Sequence, residues 1–130
     1  MSEHDDTQIL AKQFVVAVRE RRHGPASEKA LQARSALAGE YLDAEMVDDA
    51  LEVLLGAVID AGRLYGPNDE RTWQARLDLG LAYEVADRPY DAYGVLWSLD
   101  ADARATPDAW AEILDQIRTA GLRVEAALDL

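Results

Sequence analysis

The stretch Gly66–Leu96, GPNDERTWQARLDLGLAYEVADRPYDAYGVL, decides how the chain is read, because it recurs 42 residues earlier as Gly24–Leu54, GPASEKALQARSALAGEYLDAEMVDDALEVL. The shift superimposes Gly24-Pro25 on Gly66-Pro67, Gln32-Ala33-Arg34 on Gln74-Ala75-Arg76, Tyr41 on Tyr83 and Val53-Leu54 on Val95-Leu96. Of the 31 positions, 13 are identical, where ordinary residue frequencies give about two. A fixed period of this length marks a repeat architecture, and it has to be recognised before individual elements are assigned.

Each copy reads as two helices. A Gly-Pro joint and a cap residue (Ser27 in one copy, Asn68 in the other) precede a run of helix formers reaching about Ala44 or Ala86. A second helix then opens on Asp48-Asp49 or on Pro89 with Asp91, residues that suit a helix N-terminus by charge or by fixed φ. No segment alternates apolar and polar residues with β-branched enrichment, so the expected fold class is all-α. The segment DDTQILAKQFVVAVRERR carries Ile9, Leu10, Phe14, Val15, Val16, Ala17 and Val18, and predicts an extra helix over 5–22 that covers the first copy.

Leu37-Ala38-x2-Tyr41 followed by Ala50, Leu54 and Ala57, and Leu79-Gly80-x2-Tyr83 followed by Ala92 and Leu96, resemble the tetratricopeptide repeat (TPR). The 42-residue spacing and the leading Gly-Pro are similar to the kinesin light chain type of that family. A third copy begins at Trp110-x2-Ile113-Leu114-x2-Ile117, 34 residues after the matching positions of the second. It has bulky Leu114 where the others have Ala38 and Gly80, and is read as a truncated capping repeat. What the resemblance implies is a single domain over 1–130. In it, antiparallel helix pairs stack as a short right-handed TPR solenoid, with repeats at 25–64, 67–104 and 107–130. It also implies that Ala38 and Gly80 are small to let the second helix approach, and that Tyr41 and Tyr83 fill the space beside neighbouring repeats. Arg34 and Arg76 stand where the family more often has tryptophan. Their stems are expected between helices and their guanidiniums on neighbouring carboxylates.

At 130 residues with 49% hydrophobic and 29% charged residues, the chain is long enough for a core and too apolar to be disordered. A net charge of -12 excludes nucleic acid and anionic membranes as natural partners, since both are recognised through clustered Lys and Arg. No run approaches the roughly 18 apolar residues of a membrane helix, and the acidic start is unlike a secretory signal, so the expected location is cytoplasmic. With no cysteine there is no disulfide, thiol nucleophile or thiolate metal site.

Chemistry is sparse. His4 and His23 are the only histidines, neither with a partner at helical spacing, so no zinc motif, catalytic residue, metal or cofactor is expected. His23 matches Tyr65 and is assigned to packing at the joint. Asp48-Asp49 and Asp100-x-Asp102 read as helix-end charge. The loops GPASEKA and GPNDERT lack the second glycine and the Lys-Ser/Thr of a phosphate loop, and no motif places a histidine to activate a serine. Trp73, Trp97 and Trp110 are first assigned to the core, with Trp97, beside Val95 and Leu96, the one expected to look outward if any does.

In the family the first helices line a concave groove for peptides or helices of other proteins. Carried over, that groove comprises Leu42, Asp43, Gln74, Leu77, Asp78, Leu81, Glu84, Val85, Ala111, Asp115 and Arg118, apolar in its floor and acidic on its walls. It lacks the Lys, Arg and Asn with which some members clamp a C-terminal carboxylate, so a basic or amphipathic segment is the expected ligand. The expected function is therefore a non-catalytic protein-protein interaction module or adaptor. Alternatives are a small dedicated chaperone or inhibitor of a basic partner, and a self-associating homodimeric scaffold.

Overall fold

The computed structural model describes residues 6–106 and 110–130. His4, the Asp5 start of the expected first helix and the Pro107 start of the expected third repeat lie outside them. Among the described residues there are six α-helices and no strand: α1 (Asp6–His23), α2 (Glu28–Asp43), α3 (Val47–Tyr65), α4 (Glu70–Val85), α5 (Pro89–Arg104) and α6 (Ala111–Ala127). The chain divides into two compact units, Met1–Leu64 and Tyr65–Leu130, and the division falls at the Gly-Pro joint. No helix among the described residues is long and apolar enough to cross a membrane.

The joints repeat in atomic detail. Gly24 and Gly66 take positive φ, 94° and 85°, a conformation glycine adopts without a Cβ penalty. Ser27 caps α2 by accepting from the Ala30 N–H, and Asp69 caps α4 by accepting from the Arg71 N–H. The second cap is thus Asp69 rather than the expected Asn68, because the carboxylate also engages the Arg71 side chain at 2.9 and 3.0 Å. The Arg71 guanidinium in turn lies 3.5 Å over the Tyr65 ring. Its counterpart in the first joint, His23, is exposed. It places a basic side chain in the last turn of α1, where the helix dipole favours one.

Helices α2, α4 and α6 end in the same way. Glu45, Asp87 and Asp129 have left-handed φ of 61°, 59° and 59°. Met46, Arg88 and Leu130 donate back to the carbonyls of Tyr41, Tyr83 and Glu125, the 6→1 bond of a Schellman motif. These three residues are spaced 42 and 42 apart. The third copy therefore keeps the 42-residue period, and the 34-residue offset expected from Ile113, Leu114 and Ile117 is corrected. A 34-residue offset would set Gly121 opposite Asp87, yet Gly121 is mid-helix.

In the N-terminal unit α1 packs on α2. Gln13 donates to the Tyr41 hydroxyl at 2.7 Å, and Arg34 reaches Glu20 of α1 at 2.7 Å and Asp60 of α3 at 2.8 Å. The side chains buried to 0% here are Ala30, Ala50 and Ala61. In the C-terminal unit α4, α5 and α6 contact one another around Trp73, Leu77, Leu96, Leu99, Ile117 and Val124, all below 2% exposed. Arg76 pairs with Asp102 of α5 at 2.9 Å, so both repeated arginines lie on carboxylates of neighbouring helices. A Cβ on Gly80 would stand 2.8 Å from Leu96 Cδ2, so α5 approaches α4 at the position read as small.

Candidate functional site

Within the C-terminal unit the sequence-predicted groove residues do not share one surface. Gln74, Asp78, Leu81 and Val85 recur every three or four residues and form one stripe on α4. Gln74 and Val85 are exposed, Asp78 and Leu81 half-buried, and Gln74 donates to Asp78 at 3.1 Å. Leu77 is not on that stripe. It is 1% exposed and belongs to the core with Trp73 and Ile117, because helix rotation turns it about 100° away from Asp78. Leu42 and Asp43, half-buried and exposed, sit at the end of α2 in the other unit.

Glu84 accepts two hydrogen bonds from Arg123 of α6, from Nε at 2.9 Å and from Nη2 at 2.8 Å. This bidentate pairing holds the Glu84 carboxyl below the ordinary glutamate value and raises the Arg123 guanidinium, with partial desolvation opposing both shifts. The charged residue of α6 that reaches Glu84 on α4 is thus Arg123. Arg118, about 140° away around the helix, lines a different surface, and Ala111 and Asp115 are exposed.

That surface is a cleft between α5 and α6 of about 140 Å³. Tyr93, Leu96 and Ile117 form apolar lining, and Trp97 and Leu122 stand beside it at 62% and 66% exposed. Leu96 and Ile117 are anchored in the core, so the cleft rests on a packed base. Its polar members are Asp100, Arg104, Arg118 and Glu125, two of each sign, so its rim is mixed in charge. Arg104 holds Asp100 Oδ2 at 2.7 Å. Asp100 Oδ1 is buried without a hydrogen-bond partner, an acceptor that gains from any donor delivered to it.

Of the three tryptophans, only Trp73 is core. It is 0% exposed, and its indole N–H donates to the Pro67 carbonyl at 2.9 Å. Trp110, 42% exposed, sets its ring against Trp73 edge to face at 5.5 Å. The outward turn of Trp97 was anticipated by its place on the second helix. The partnership of Trp97 with Tyr93, Asp100, Arg104, Leu122 and Glu125 was missed, because the family pattern directs attention to first helices. The available signal was Leu122, which breaks the core stripe of Ile113, Ile117, Ala120 and Val124.

Among the described residues no group of three or more His, Asp or Glu side chains is placed to hold a metal ion. A cleft of about 140 Å³ is below the roughly 300 Å³ at which small-molecule sites begin; it has room for one or two anchoring side chains. Compared with known proteins, the chain matches no family model, no curated protein and no solved structure.

Proposed function

We propose that the protein is a non-catalytic interaction module, with the α5–α6 cleft as the seat of a peptide or amphipathic helix from a partner protein. The observation that carries this reading is Trp97 and Leu122, both more than half exposed, standing beside an apolar cleft with a packed base. Exposed tryptophan next to a pocket is the composition of a binding hot spot, and a rim of charged groups sets register more than affinity. The net charge of -12 favours a partner segment that brings positive charge, with Asp100 and Glu125 among the groups lining the cleft to receive it.

The finer architectural reading, a short right-handed TPR solenoid of the kinesin light chain type, is part of the same proposal. It is supported by the Gly-Pro joints and by the three left-handed helix ends at 42-residue spacing. Within it, the α4 stripe of Gln74, Asp78, Leu81 and Val85 is a second, weaker contact face.

Affinity capture from the host lysate, run in parallel with wild type and with Trp97→Glu, tests the function. A set of proteins retained by the wild type and lost from the variant supports it. Equal retention by both, with the variant's helical circular dichroism unchanged, removes the cleft from the proposal.

A further inference from the structure

We infer that the outer face of α1 is a contact between two copies of this chain, in which α1 packs antiparallel against α1 of the second copy. The inference is independent of the α5–α6 cleft and uses only the N-terminal unit.

The inner side of α1 is accounted for. Ile9 is buried, Gln13 bonds Tyr41, Arg19 donates to the Lys29 carbonyl and Glu20 pairs with Arg34. The opposite side carries Leu10, Ala11, Phe14, Val15, Ala17 and Val18 with no charged residue among them. Leu10 is 62% and Phe14 69% exposed. A helix apolar on both sides is buried on both sides or presents a surface for association, and this stripe lies in the middle of the helix with Phe14 at its centre.

Charge identifies the occupant. The acidic residue of the first turn is Asp6, and the last turn holds Arg21, Arg22 and His23. Turned antiparallel about a two-fold axis near Phe14, one helix sets Asp6 beside Arg21 and Arg22 of the other, twice, and opposes the helix dipoles favourably. No ion pair among the described residues takes up Asp6, Arg21 or Arg22. An isologous contact needs this kind of self-complementarity. On a chain with net charge -12, two copies repel over most of their surface. Helix α1, with Lys12, Arg19, Arg21 and Arg22 against Asp6 and Glu20, is where that repulsion is relieved. At about 27 Å of helix the contact belongs to the small end of the interface range, so the dimer is concentration-dependent.

Sedimentation equilibrium on the full chain from about 1 µM to about 1 mM should show a monomer–dimer equilibrium. Phe14→Glu should weaken it by about ten-fold or more while the helical circular dichroism stays unchanged. If that variant loses helix, the exposed charges decide the matter. Asp6→Arg alone and Arg21→Glu with Arg22→Glu should each weaken the homodimer several-fold, and mixing the two variants should restore dimer as the heterodimer. A parallel pairing would leave each homodimer unweakened and would overturn the proposal. So would a monomer at every concentration, or a ladder of higher oligomers.

Discussion

The two units share a helix-pair plan and fill it differently. In the C-terminal unit the largest fully buried side chains are Trp73 and five branched aliphatics, beside the small Ala92, Ala103 and Ala120, and α6 completes the packing around them. In the N-terminal unit the positions buried to 0% are Ala30, Ala50 and Ala61, and α1 leaves Leu10 and Phe14 exposed. Trp73 has Leu31, half-buried, as its counterpart one period earlier. Dispersion and burial scale with the atoms enclosed, so the same backbone plan gives one unit a consolidated core and the other a thin one with apolar surface left over. The surplus in the N-terminal unit includes the α1 face and Leu55, Ile59 and Leu64 of α3. In the C-terminal unit it includes Trp97 and Leu122 beside the cleft, with Val85, Tyr90, Trp110 and Leu130 exposed elsewhere.

Substitutions at matched positions separate the two units. Trp73→Ala removes a fully enclosed indole and its bond to Pro67, and should cost about 3–5 kcal/mol in denaturant unfolding. Leu31→Ala should cost about 1 kcal/mol. Equal costs would mean that the cores do not differ.

Next in size is the Gly80 contact. Gly80→Ala puts a Cβ against Leu96 and should destabilise by about 1–3 kcal/mol through overpacking, although alanine is the better helix former. At Ala38, buried at the matching position, the reverse change Ala38→Gly should also destabilise, by about 1 kcal/mol. A stabilised Gly80→Ala protein would show that Leu96 moves aside freely.

The helix ends should respond alike in both units and with opposite sign. Glu45 holds a left-handed φ that a side chain other than Gly or Asn adopts at a cost. Glu45→Gly should therefore raise stability by about 0.5–1 kcal/mol, and Asp87→Gly by less, since aspartate tolerates that region better. Thermal unfolding of the two variants checks the order.

The smallest effect is at Glu84. Its folded pKa lies below the ordinary 4.5 because Arg123 grips the carboxylate. The pair's contribution is therefore fully present above that pH and is lost as pH falls through the depressed folded value. Both side chains are partly exposed, at 28% and 51%, so the contribution is at most about 1 kcal/mol. Glu84→Gln should lower stability by at most about 1 kcal/mol at neutral pH, where the pair is intact, and flatten the acid limb so that the two stability–pH curves converge as pH falls.

Much of the fold was legible because the code for it is local and repeated. The Gly-Pro joints and the cap at Ser27 act within one or two turns, the small residue at Gly80 acts on the next helix through Leu96, and duplication made all three stand out. The left-handed ends at Glu45, Asp87 and Asp129 were not legible, since none is glycine and the geometry comes from closing the carbonyls of the preceding turn. That same omission misplaced the third copy by 8 residues, as Ile113 and Ile117 fit two registers and only Asp129 distinguishes them. The candidate site was legible in part. Trp97 stood out by its place on the second helix. Leu77 was misassigned because helix rotation alone does not say which of several apolar faces meets the core.

The most direct test of the account is calorimetric titration of the partner recovered with the wild-type chain against Trp97→Ala and against Val85→Ala. Loss of affinity by about ten-fold or more at Trp97, with Val85→Ala near wild type, is the predicted result. Unchanged affinity at Trp97 with a loss at Val85 would contradict it, moving the site from the α5–α6 cleft to the α4 stripe.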